Sequence, residues 1–75
     1  SIRFSLKDAG NVKIHIYNLK GQLVKQLLDS EMKSGNHQVI WDGRDTRGNS
    51  VASGIYFYRM QNGSYNATHK MMLMK

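Results

Sequence analysis

The sequence predicts an all-β domain, a sandwich or barrel of about seven short strands. Three observations carry this. Alternating apolar and polar runs recur along the chain, separated by turns rich in Gly and Asn. One segment, Ile55-Tyr56-Phe57-Tyr58-Arg59-Met60, has large apolar or aromatic side chains at both parities. A strand in the middle of a sheet or sandwich has that character. The one segment with helix-like spacing lacks a capping residue.

The elements follow in order. Ile2, Phe4 and Leu6 alternate with Arg3, Ser5 and Lys7, which reads as a half-buried strand. Asp8-Ala9-Gly10-Asn11 is a turn, because Gly and Asn accept the positive φ of a tight reversal. Val12, Ile14 and Ile16 then alternate with Lys13, His15 and Tyr17. Another turn, Asn18 to Gln22, contains Gly21. From Leu23 to Met32 the pattern is mixed. Leu19, Leu23 and Leu27 are spaced as on a helix, and so are Val24 and Leu28. No Ser, Thr or Asp stands just before Leu23, and Gly21 weakens a first helical turn. A strand is favoured, with a bulge between the adjacent apolar pairs.

After a turn at Lys33-Ser34-Gly35-Asn36, His37, Val39 and Trp41 share one face of the next strand. A polar loop carries Asp42, Gly43, Asp45, Gly48 and Gly54. Then comes the central strand from Ile55 to Met60. Asn62-Gly63 signals a hairpin, both residues suiting the left-handed geometry of a two-residue turn. Ser64 to Thr68 pairs back, and His69 to Met74 forms the last strand, with Met71 and Leu73 on one face and Met72 and Met74 on the other. The predicted core comprises Phe4, Ile14, Ile16, Val39, Trp41, Ile55 and Phe57.

Seventy-five residues form a single domain, 1–75, with a marginal core. No Cys is present, so neither a disulfide nor a Cys-based zinc site supplements that core. The formal charge is +6. The eleven Lys and Arg residues are scattered singly, without a basic run or helix, which speaks against nucleic acid as a partner. Apolar runs are only a few residues long, so no membrane-spanning segment is predicted. No signal peptide is visible and the first residue is Ser, which reads as a piece of a longer polypeptide.

Candidate sites are few. Asp42, Asp45 and Asn49 offer oxygen ligands for Ca²⁺, but Arg44 and Arg47 stand among them and no closing Glu follows. Turn chemistry is the plainer reading. His15, His37 and His69 lack partners at ligand spacing, so no metal or other cofactor is predicted. Ser53 lacks the two-Gly elbow of a hydrolase, and the five acids form no convincing catalytic pair. No catalytic residue is assigned. Asn62-Gly63-Ser64 and Asn66-Ala67-Thr68 match the glycosylation acceptor pattern, though turn formation explains these Asn residues. Tyr17, Tyr56, Tyr58, Tyr65 and Trp41 suggest a sugar-stacking face; Trp41 is assigned to the core, and Tyr17 and Tyr65 stay open.

The segments Ile2–Leu6, Gly10-Asn11-Val12, Ile16–Val24, Gly35–Asp45, Gly48, Val51–Tyr58 and Lys70–Lys75 occur in a familiar succession. Nearly the whole chain resembles the immunoglobulin-like domains related to the flagellar hook-capping protein. It also resembles the type A sorting domains of the type IX secretion system. The run WDGRD followed by VASGIYFYR is the most specific part. The Asn-Pro-rich lead-in of that family is absent from this sequence.

The resemblance implies an immunoglobulin-like antiparallel β-sandwich and a non-catalytic appended module. In the sorting version, the folded C-terminal domain is recognised by outer-membrane secretion machinery; our own expectation is that the terminal strand Lys70, Met71, Met72, Leu73, Met74 and Lys75 offers its backbone edge to that partner. A parent catalytic or adhesive domain then precedes Ser1, and the protein reaches the cell surface or medium through the periplasm and outer membrane. In the hook-cap version the module is a structural spacer or scaffold piece. A carbohydrate-binding accessory module is the third expectation.

Overall fold

The structure is a computed structural model, and it describes residues 1–74. It contains two antiparallel sheets and six strands: β1 (Ile2–Leu6), β2 (Gly10–Tyr17), β3 (Leu23–Met32), β4 (Gly35–Val39), β5 (Gly54–Asn62) and β6 (Tyr65–Leu73). β1 and β4 form a two-stranded sheet; the other four stand in the order β3-β2-β5-β6. All-β architecture and the central place of β5 agree with the sequence.

The core lies between the sheets. From β2 it receives Val12, Ile14 and Ile16, all with no exposed surface. Ile2 and Leu6 come from β1, Tyr56 and Met60 from β5, and Trp41 from the segment after β4. Phe4 and Val39 are half-buried against this cluster. The register sets Ile14 opposite Met60 and Ile16 opposite Tyr58, so adjacent strands project apolar side chains to one face.

Three expectations need correction. First, Ser64–Thr68 and His69–Met74 are not separate strands. They form one continuous β6, paired with β5 from Asn62↔Tyr65 to Gly54↔Leu73, so six strands stand among the described residues. Second, Ile55 and Phe57 lie outside the core cluster, which takes Tyr56, Tyr58 and Met60 from this strand. Successive side chains alternate across a strand, and the two-stranded sheet covers only the Tyr56 side. Phe57 sits in register between Tyr17 and Lys70, whose long side chains leave it half-buried.

Third, Asn62 belongs to β5, paired with Tyr65, so Gly63-Ser64 makes the reversal. Gly63 alone there has positive φ, 60°. A turn with its left-handed residue at the first central position needs Gly only there, and Asn62 stays extended.

β3 explains its own ambiguous sequence. Ile14 pairs with Leu28, but His15 pairs with Gln26; Ile16 pairs with Lys25, but Tyr17 with Leu23. Leu27 and Val24 are therefore extra residues, each a bulge. Each bulge resets the parity of the strand. Val24, Leu27, Leu28 and Met32 all pack against the core, at intervals that imitate a helix.

Candidate functional site

The loop between β4 and β5 is built from its own backbone. Asp45 closes it. Its Oδ1 accepts from the Arg47 and Asn49 backbone N–H groups, each at 2.9 Å. Its own N–H donates to the Asn49 carbonyl at 2.8 Å. The Asn49 backbone N–H holds the Asp45 carboxyl below the ordinary Asp range; the Arg47 contacts add to this and desolvation opposes it. Asp42 Oδ1 accepts from the Arg44 N–H at 3.1 Å, and Arg44 Nη1 donates to the Gly48 carbonyl at 2.9 Å. Arg44 Nε stands 3.9 Å from Asp42 Oδ2 in an exposed pair, which is worth little in stability. These carboxylates organise turns through neighbouring backbone N–H groups.

The loop is anchored at three points. Trp41 Nε1 donates to the Arg44 carbonyl at 2.9 Å. Tyr56 Oη donates to the Ala52 carbonyl at 2.7 Å. Thr46 uses both its N–H, at 3.1 Å, and its hydroxyl, at 3.2 Å, on the Val24 carbonyl of β3. No buried side-chain N or O among the described residues lacks a partner. Trp41 is thus a packing and loop-closing residue.

The histidines are dispersed. His15 meets Tyr17 edge-on at 6.3 Å on β2. His37 stacks on Phe4 at 5.4 Å, and its Nε2 lies 2.6 Å from the Lys33 carbonyl. A carbonyl only accepts, so Nε2 carries the proton there. His69 stacks on Tyr58 at 5.2 Å.

The predicted recognition strand falls on β6, which pairs with β5 on one side only. Met71 and Leu73 are half-buried and pack on the core, whereas Lys70 and Met72 point outward. Met74 follows the strand and is exposed; Lys75 lies outside the described residues. Gly21, Gly43 and Gly48 have positive φ in turns, whereas Gly54, expected in a turn, opens β5 paired with Leu73 at φ 151°. Tyr56, Tyr58 and Tyr65 share the inner face of the four-stranded sheet, and Tyr17 does not. Tyr17 stands on the outer side of the four-stranded sheet. Tyr65 shares its parity with Met71, on the inner side.

Sequence reasoning missed one feature. A groove of ≈ 610 Å³ runs between β1 and the inner face of β5 and β6. Tyr58, Met60, Tyr65 and His69 line its floor. The signal was present: Tyr65 and His69 have the same parity as Met71 and Leu73, so all four face inward.

The family model of the FlgD Ig-like domain matches residues 1–68. No curated protein and no solved structure matches the chain.

Proposed function

Since the chain belongs to the FlgD Ig-like domain family, we propose that it is a non-catalytic structural module, a spacer or scaffold piece of a larger protein. The observation that carries this reading is the commitment of the loop polar groups. Asp42, Asp45, Trp41 and Tyr56 all spend their hydrogen bonds on neighbouring backbone. A catalytic group needs a donor or acceptor turned toward a substrate. The experiment is a replacement. The parent protein is made with residues 1–75 exchanged for an unrelated β-sandwich of similar size, and its assembly and activity are measured. Retained function supports a spacer; loss with the parent still folded argues for a specific contact made by this surface.

The sorting reading has one point in its favour, the edge position of β6. An edge strand offers backbone groups to a partner strand. In that reading the partner is outer-membrane secretion machinery, and the protein is delivered to the cell surface. The segment from His69 onward lies beyond the family match. Deleting Lys70–Lys75 would also remove Met71 and Leu73 from the core, so a truncation confuses export with folding. The cleaner variant is Lys70→Glu with Met72→Glu, both outward-facing. Periplasmic retention of a full-length parent bearing it supports sorting; normal surface delivery excludes recognition through this strand face.

A further inference from the structure

The four-stranded sheet is wider than the sheet that covers it. Among the described residues β1 pairs with β4 alone, so its other edge presents backbone N–H and C=O groups that no strand pairs with. The ≈ 610 Å³ groove follows that edge from Arg3 to Lys7. Its floor belongs to the inner face of the larger sheet. At one end of β6, Met71 and Leu73 are covered. Toward the other end, His69 is exposed and Tyr65 is 56% exposed. The floor there is aromatic and flat, with Tyr58 and His69 stacked at 29° between planes. An added strand on the free edge of β1 would lie over this floor, with alternate side chains facing it.

We propose that this groove receives an extended peptide from a partner protein, added as a strand on the free edge of β1. The peptide alternates apolar and acidic residues. Its apolar side chains lie over Tyr65 and His69, because alternate residues of an added strand face the floor. Its acidic side chains stand on the opposite face beside Arg3 and Lys7, which point outward from β1 and are exposed. Charge disfavours a second copy of this chain, which carries a formal +6. Antiparallel pairing of two β1 strands about Ser5 sets each Arg3 opposite the other copy's Lys7. Like charges directly opposite destabilise a strand pair, and opposite charges stabilise it. This inference goes beyond the module reading, which holds whether the groove is filled or empty.

The test uses the ¹⁵N-labelled chain and a capped synthetic peptide of alternating Glu and Val, six residues long. Binding is expected to shift the amides of Arg3 to Leu6 and the ring signals of Tyr65 and His69. It is also expected to slow hydrogen exchange in β1, since new backbone bonds form there. Arg3→Glu, and separately Lys7→Glu, should weaken binding roughly fivefold while the thermal midpoint of the free domain holds. A Lys–Val peptide should bind more weakly than the Glu–Val peptide. The proposal is overturned by no response at millimolar peptide or by shifts confined to the Tyr17 and Phe57 face. Equal binding of the Lys–Val peptide overturns it too. So does self-association through β1, or a response of Tyr65 and His69 to cellohexaose but not to the acidic peptide.

Discussion

Trp41 meets Tyr56 edge-on, with ring centroids 5.1 Å apart and planes at 72°. Both residues flank the same loop, and each sends its one polar hydrogen to a carbonyl within it. The pair therefore joins the apolar core to the connection between β4 and β5.

Truncating this junction should be severe. Trp41→Ala removes a large buried ring, a change costing about 3–5 kcal/mol. A 75-residue domain has a total stability of roughly 4–11 kcal/mol. The variant should lose a large share of that stability, and it unfolds at 37 °C if the domain stands at the low end of the range. Tyr56→Phe keeps the ring and loses only the bond to Ala52, so it should cost about 0.5–1.5 kcal/mol. Urea unfolding followed by circular dichroism separates the two. A Tyr56→Phe loss as large as that of Trp41→Ala would mean that the hydroxyl, not the ring contact, holds the loop.

The hairpin at Gly63-Ser64 gives a second prediction. Gly63 adopts φ of 60°, and no heavy atom lies within 4 Å of the position its Cβ would take. Any cost of Gly63→Ala is thus backbone strain and not a clash. It should be about 1–2 kcal/mol. Asn62→Ala should cost less through the turn, because Asn62 is extended and in register with Tyr65. Comparable losses at the two positions, read from thermal midpoints, would restore Asn62 as a left-handed turn residue.

How far the sequence could be read depends on which layer covers each strand. β1 and β2 were legible because one face is buried and the other is wet, so alternation is clean. β5 was legible as a central strand but not in its facing. Both parities are apolar, and nothing local says that Tyr56 and Met60, not Ile55 and Phe57, lie under the second sheet. β6 looked like two strands because its inward residues change character along its length. Met71 and Leu73 pack on the core, whereas Tyr65 and His69 on the same face are exposed and need not be apolar. The turn role of Asp42 and Asp45 was legible from composition. The groove was not, since a missing neighbour leaves no pattern in the strand that lacks it.

The bulges of β3 predict a difference between residues that look equivalent. Leu23 and Leu28 are both leucines in one strand, yet Leu23 is 57% exposed and Leu28 packs on the core. Leu28→Ala should cost about 1–2.5 kcal/mol, near half the cost at a fully buried site. Leu23→Ala should stay within about 0.5 kcal/mol. A helix over this segment would set Leu23 and Leu27 on one stripe and make their losses similar. Denaturant midpoints of the two single variants decide between these.

The Asp45 carboxyl gives the acid response. Its pKa is lowered in the folded loop from the ordinary value of 3.8, first by the Asn49 backbone N–H. The unfolded chain therefore takes up a proton more readily than the folded one as pH falls below neutrality. The stabilisation is fully present above about pH 5, declines as pH falls past 3.8, and is gone once pH drops below the folded value. The backbone amides of Arg47 and Asn49 report the carboxylate directly, because both donate to its Oδ1. Their chemical shifts, followed from pH 6 downward, should titrate together with a midpoint below 3.8. Asp45→Asn should abolish that titration at both amides. A midpoint at or above the ordinary value would mean that the carboxylate is not held by these donors in solution, and the loop would then be closed by Trp41, Tyr56 and Thr46 alone.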